Sequence, residues 1–300
     1  MSTTASADQL FRPAGSLRDG DDAVLVTPEV AGWTYAGLRI VELPPGGSRT
    51  LATGGEEMAV LPLAGGCVVE CEDRRFDLRG RRSVFDRVSD FAYLPIDTEV
   101  RITSSSGCRL ALPSARAGHR LDPAYGPAEA VPVEVRGAGQ ATRQVTNFLE
   151  PSAFPADKLV AVEVLTPEGN WSSYPPHKHD TASAHEAVLE EIYYFGIGGD
   201  GGFGLHRTYT VDGEIDATVT VRDGDVFLIP RGYHGPCVAA PGYPMYYLNV
   251  LAGPAPERTM QFCDDPAHHW VRDTWAEQVP DARCPLTTAT GPASSAGGDR

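Results

Sequence analysis

Asp223-Gly-Asp-Val-Phe-Leu-Ile-Pro-Arg-Gly-Tyr-His234 holds a short apolar run, Val226 to Ile229, bracketed by turn formers and closed by an imidazole. A run of that length bounded by Gly, Asp and Pro reads as a buried strand. Two earlier stretches belong with it: His177-Lys178-His179 follows residues 170–176, and Glu190-Glu191 leads into Ile192-Tyr-Tyr-Phe195. Side chains alternate along an extended strand, so His177 and His179 share a face and Lys178 points away. A carboxylate and a third imidazole from neighbouring strands can then close around one ion. The pattern predicts a mononuclear metal site inside a small β-barrel, held by His177, His179, His234 and one of the acidic pair. Glu191 is favoured because it directly opens the strand-like run, leaving Glu190 to face the other way. A lone H-x-H on a polar loop is usually a solvated coincidence; its company here is what makes it a signal.

Composition agrees with strands and turns. The 300 residues include 32 Gly and 25 Pro, spread along the chain at the ends of strand-like runs, and no long helical pattern stands out. The length suits two domains. A net charge of −15 repels phosphate backbones and anionic lipid, which argues against nucleic acid and membrane as partners and for a small molecule. Met1 to Pro13 lacks a basic segment followed by an apolar one, and no apolar run reaches membrane-spanning length, so a cytoplasmic protein is expected. The six cysteines form no C-x-x-C pair and read as free thiols, with Cys67 and Cys71 in the core.

Two halves echo each other. Glu56-Glu-Met-Ala-Val-Leu-Pro-Leu-Ala-Gly65 and Phe91-Ala-Tyr-Leu-Pro95 parallel Glu191-Ile-Tyr-Tyr-Phe-Gly196 and Asp225-Val-Phe-Leu-Ile-Pro230, which suggests a duplicated barrel. No histidine precedes His119, so the first barrel cannot build the same site; it reads as a structural or oligomerisation domain, and homo-oligomers are expected. The boundaries are placed at 1–135 for the metal-free barrel and 136–280 for the metal-binding one. Residues 281–300, rich in Thr, Ala, Gly and Ser, read as a disordered tail. Asp265-Pro-Ala-His-His-Trp-Val-Arg-Asp-Thr-Trp275 is expected to form a short helix capping a barrel.

The ligand pattern resembles the two cupin motifs, G-x5-H-x-H with a later Glu, and G-x5-P-x-G-x2-H. Gly224, Pro230, Gly232 and His234 match the second with one residue fewer before the histidine; the interval from His179 to the acidic pair is longer than in the first. A narrower resemblance lies in Trp171-Ser-Ser-Tyr-Pro-Pro-His-Lys-His-Asp180, Glu190-Glu-Ile-Tyr-Tyr-Phe195, Leu205-His-Arg-Thr-Tyr-Thr210 and Pro230-Arg-Gly-Tyr-His-Gly-Pro236, which is similar to the 5-deoxy-glucuronate isomerases of myo-inositol catabolism. That resemblance implies an all-β bicupin of two tandem double-stranded β-helix (jelly-roll) barrels. It implies an aldose–ketose isomerase converting 5-deoxy-D-glucuronate to 2-deoxy-5-keto-D-gluconate. The related keto-deoxyuronate isomerases bind zinc through three histidines and a glutamate that precedes an aliphatic–Tyr pair, as Glu191 does; zinc is the expected ion, with manganese or iron as alternatives.

Further polar residues are candidates for the substrate and the proton transfer. Arg207 suits a carboxylate through its planar guanidinium; in its run Leu205 and Tyr209 share one face, His206 and Thr208 the other. Lys178, one of two lysines in the chain, and Tyr247 are further substrate-binding candidates. Glu190 and Tyr209 are the acid/base candidates, with Tyr193 behind them. A cupin dioxygenase and a sugar-acid binding or sensor protein remain the competing functions.

Overall fold

The computed structural model describes residues 7–293, and these are almost wholly strands joined by turns. No helix among them exceeds four residues, and none is long and apolar enough to cross a membrane. The expected helix after Asp265 is a single turn, Trp270–Asp273, continued by the 3-10 turn Thr274–Glu277.

The first half is one nine-stranded sheet curled on itself. Its organiser is the 16-residue strand Glu56–Cys71. The early part of this strand pairs with Phe91–Leu94 and Cys108–Arg116, and the later part with Arg74–Arg81 and Glu99–Ser104. An irregularity between Pro62 and Ala64 lets one strand serve both layers, since a bulge bends a strand and raises its twist.

The second half splits into two layers. One runs through Val226–Ile229, Glu190–Ile197, Met245–Ala252, Val160–Thr166 and Arg143–Leu149, with Val133–Arg136 at its edge; the other runs through Asp216–Val221, Gly204–Tyr209, Tyr233–Ala239, His177–Lys178 and Cys263–Asp264. The strand sequences here are near-continuous in apolar residues because both faces are buried. Ile192, Tyr194, Leu248 and Val250 join Leu38, Ile40 and Leu61 in a core between the barrels, whereas Tyr193, Phe195, Met245 and Tyr247 fill the second barrel. The first barrel's own interior is apolar, lined by residues such as Met58, Val60, Val69, Ile102 and Leu110, with Cys67 and Cys71 among them.

One edge crosses between the halves and the other stays at home. Phe11–Arg12 pairs with Val226–Ile229 of the second barrel, and Ala124–Gly126, which leads toward the second barrel, pairs with Phe91–Leu94 of the first. The proposed division at residue 135 therefore needs correction at both ends. Val133–Arg136 is already a strand of the second barrel, so the crossover falls between Gly126 and Val133. The expected disordered tail is corrected as well. Leu286 and Thr287 donate their N–H groups to Gln144 Oε1 at 2.8 and 2.9 Å, Val88 N–H donates to Thr288 O, and Thr287–Thr288 pairs with Gly291–Pro292. Residues 294–300 lie outside the described residues.

Register relates the barrels residue by residue. Glu191 is paired with Ile229 on one side and Leu251 on the other; Met58 is paired with Leu94 and Ser114 in the equivalent strands. Met58 thus occupies the place of Glu191, and Glu57 that of Glu190.

Candidate metal centre

His177 opens the cluster as the direct cross-strand partner of His234, and their rings meet edge-on at 4.4 Å between centroids. His179 follows just past the strand, its ring 4.8 Å from that of His234. Glu191 projects inward because Ile192 and Tyr194 face the other barrel. His179, Glu191 and His234 are all buried, and their ligand atoms lie within 4.8 Å of one another; His177 borders this trio and lines the same cavity. Local backbone fixes these positions. Gly232 has φ +95° and Gly235 φ +106°, and a Cβ at Gly235 would lie 1.8 Å from Ser173 O, so only glycine lets the strand bearing His234 pass the segment before His177.

The second nitrogen of each ring sets the chemistry. His179 Nδ1 is 2.9 Å from Leu189 O, His234 Nδ1 3.2 Å from Gly232 O, and His177 Nδ1 3.4 Å from Pro175 O. A carbonyl accepts only, so each Nδ1 carries the proton and each Nε2 presents a lone pair. Those of His179 and His234 both stand 3.0 Å from the same atom, Glu191 Oε2. His234 Nε2 is buried yet lacks an aligned hydrogen-bond partner. Lone pairs converging on a carboxylate repel unless a cation lies among them. Ligand atoms about 2.1 Å from an ion and 90° apart are about 3.0 Å from each other, so the spacing fits a metal. Burial opposes charge on His179, but the Glu191 carboxylate outweighs it and raises the ring above its ordinary value. Burial also opposes ionisation of Glu191, and the facing imidazoles reverse that and hold it well below the usual carboxylate range. Burial pushes His177 down, helped by His234.

Around the centre, Asn249 Nδ2 donates to Glu191 Oε1 at 3.0 Å, orienting the carboxylate from behind. Ser173, in the left-handed region at φ 46°, holds its hydroxyl 3.0 Å from both Tyr193 and Tyr247. Burial keeps the Tyr247 phenol protonated by raising its pKa, and the ring lines the cavity together with Asn249, Phe262 and two arginines, Arg136 and Arg143.

Several of the expected site residues are elsewhere. Glu190 faces the first barrel and accepts from the backbone N–H groups of Thr34, Tyr35 and Ala36 at 2.7, 2.7 and 2.9 Å, so both of its oxygens are engaged there. Tyr209 donates its hydroxyl to Asp265 Oδ2 and stacks beside Tyr233, outside the cavity wall. Arg207 is half-exposed, paired with Asp216 and folded over the Tyr209 ring; the buried face of that strand carries His206 and Thr208 instead. Lys178 binds Asp180, Thr181 and Glu186 and stitches the loop after His179. Arg136, Arg143 and Asn249 were not singled out by the sequence. Their signal was only the alternation of their strands, unreadable without knowing which face is inward.

Two barrels back to back, one apolar inside and one with a histidine–carboxylate cluster, define a bicupin with a candidate metal centre. The model of the KduI/IolB family matches residues 10–271, and the chain belongs to that family. Among its relatives, the 5-deoxy-glucuronate isomerase of Geobacillus thermodenitrificans is 42% identical over 86% of this chain and 94% of that protein. That of Geobacillus kaustophilus is 41% identical over 89% and 96%. The crystal structure of an IolB-like protein from Salmonella typhimurium superposes with a TM-score of 0.82 at 36% identity, covering 88% of this chain and 99% of that one. An oxalate decarboxylase of Lactobacillus farciminis, at 14% identity and TM-score 0.62 over 85% and 88%, shares the fold.

Proposed function

We propose that this chain is a metal-dependent aldose–ketose isomerase converting 5-deoxy-D-glucuronate to 2-deoxy-5-keto-D-gluconate in myo-inositol breakdown. The observation that carries the metal dependence is the convergence of two Nε2 lone pairs on Glu191 Oε2, each at 3.0 Å, with the opposite ring nitrogens tied to carbonyls. His177, His179, Glu191 and His234 would hold the ion, and the mixed N/O donor set suits zinc, with manganese or iron as alternatives. When bound, such an ion supplies Lewis acidity toward neighbouring oxygen atoms of a sugar.

The chain's own residues do the rest. Tyr247, protonated through burial, donates a hydrogen bond, and Asn249 Oδ1, buried without a donor, accepts one, so the pair can orient a polyol. Phe262 and Leu251 in the wall exclude water from the reacting carbons. The substrate comes from the relatives' name at 42% identity. The free thiols at Cys67, Cys71, Cys108, Cys237, Cys263 and Cys284 support a reducing, cytoplasmic setting.

Metal analysis of purified protein, joined to an assay on 5-deoxy-D-glucuronate, tests the reading. Stoichiometric divalent metal and ketose product are expected; absence of turnover in metal-loaded protein would leave only a sugar-acid binder.

A further inference from the structure

Arg136 and Arg143 are direct cross-strand partners in the strands Val133–Arg136 and Arg143–Leu149, and both line the cavity that contains His177, His179 and Glu191. Their charges are met differently. Arg136 lies fork to fork on Glu134, with Nε 2.9 Å from Oε1 and Nη2 2.6 Å from Oε2. Arg143 is 5% exposed, and its Nη1 donates to the carbonyls of Ala141 and Tyr174 at 3.0 and 3.4 Å. Among the described residues no carboxylate lies within ion-pair distance of Arg143, although its guanidinium is packed over the Trp275 ring at 5.5 Å.

A buried guanidinium without a counter-ion is costly, and it stays charged at neutral pH. Burial, with repulsion from Arg136 and Arg272, lowers its pKa to about 10, so the site favours arrival of an anion. The contrast with the rest of the molecule is sharp: Arg81, equally buried, is held by Glu163. A chain with net charge −15 had acidic residues to spare for Arg143, and the cavity wall supplies none but Glu191, which serves the histidines.

We propose that Arg143, backed by Arg136, is the anchor for the substrate's carboxylate, so that a sugar acid enters with its acid end at these two strands and its reacting end at the histidines. This rests on the isomerase reading for the identity of the substrate, but the requirement for a carboxylate does not. Arg143 is a specificity-determining residue: a planar fork recognises a carboxylate and gains nothing from a neutral sugar alcohol.

The test uses metal-loaded protein and two readouts. In turnover of 5-deoxy-D-glucuronate, Arg143→Gln is expected to raise KM by ~30-fold or more while kcat changes less than about threefold, with metal content unchanged. A residue that merely props up the Ala141 and Tyr174 carbonyls would lower thermal stability without that split. The second readout is calorimetric binding of D-gluconate and D-glucitol, which share a carbon chain and differ in the carboxylate. Wild type should prefer gluconate by ~10-fold or more, and Arg143→Gln should abolish the preference. A preference retained in Arg143→Gln overturns the proposal. Inactivity of wild type toward 5-deoxy-D-glucuronate would overturn the isomerase reading alone, because the gluconate preference still decides the role of Arg143. Should Arg143→Gln fail to fold, Arg143→Lys decides: KM raised about fivefold or more at constant kcat supports the anchor, and KM equal to wild type overturns it.

Discussion

Glu57 and Glu190 hold equivalent places in the two barrels, and each reaches across to cap the other. Glu190 accepts from the N–H groups of Thr34, Tyr35 and Ala36, which lead into the strand Ala36–Leu43 of the first barrel. Glu57 accepts from Asp157, Lys158 and Leu159 at 2.8, 2.5 and 2.6 Å, which lead into Val160–Thr166 of the second, and also from the Tyr93 hydroxyl. Each carboxylate satisfies backbone donors that the sheets leave over. The two barrels thus share a reciprocal fastening, while the next position is Met58 in one and Glu191 in the other.

Removal of either fastening should loosen the interface and spare the chemistry. Glu190→Ala is expected to cost about 2 kcal/mol and the fully buried Glu57→Ala about 4 kcal/mol in denaturant unfolding. Metal content and kcat of Glu190→Ala should match wild type. A fall in kcat of about a hundredfold or more in folded, metal-loaded Glu190→Ala would restore it as a catalytic acid or base.

Glu191→Gln should behave in the opposite way. It keeps the Asn249 contact but removes the charge that balances the ion, and elemental analysis should show metal occupancy down by about tenfold or more, with activity lost in proportion. His234→Ala and His179→Ala should do the same. Unchanged occupancy in Glu191→Gln would show that the metal, if present, is held elsewhere.

Chelation separates fold from function. The interiors of the two barrels and the layer between them are apolar clusters built without the ion, so protein dialysed against a chelator should retain its far-ultraviolet circular dichroism. Its isomerase activity should disappear and return on addition of a divalent metal. Full turnover by thoroughly stripped protein would refute metal dependence.

The strands near the site were legible because their signals are local. Val226 to Ile229 between turn formers, H-x-H in an extended stretch and Glu191 at the mouth of an apolar run each need only a few residues of context. The residues that line the cavity beside the cluster were harder to read for the complementary reason. Alternation separated His206 from Arg207, but which of them faces inward depends on how the sheet packs against its partner layer, and Arg207 was preferred for its chemistry. The swapped edge strand Phe11–Arg12 and the anchored segment around Thr287 are long-range features; two residues paired with Val226–Ile229, or two N–H groups held by Gln144, leave no periodic trace.

Because Arg207 is half-exposed and tied to Asp216 at 3.1 Å, Arg207→Ala tests its role directly. KM and kcat for 5-deoxy-D-glucuronate should stay within about twofold of wild type, and stability within about 0.5 kcal/mol, as for a surface ion pair. A large rise in KM would return the carboxylate to this strand.

The inward neighbour of Arg207 should govern acid stability. His206 is fully buried, with Nε2 2.9 Å from Thr208 Oγ1, Nδ1 3.2 Å from Cys237 Sγ, and its ring against Phe227 and Tyr193. Burial, aided by the nearby His234, pushes its pKa down to about 3, against about 6.5 in the unfolded chain. Between these values the unfolded state binds a proton that the folded state refuses, so stability rises with pH across the window and is lost as pH falls below about 6.5. At pH 5 the loss from this one group amounts to about 2 kcal/mol. Denaturant unfolding of wild type and His206→Gln at pH 7 and pH 5 measures it. His206→Gln is expected to be less stable at pH 7, through lost packing, yet to lose about 2 kcal/mol less than wild type on going to pH 5. Equal losses in the two proteins would mean that His206 accepts its proton without unfolding.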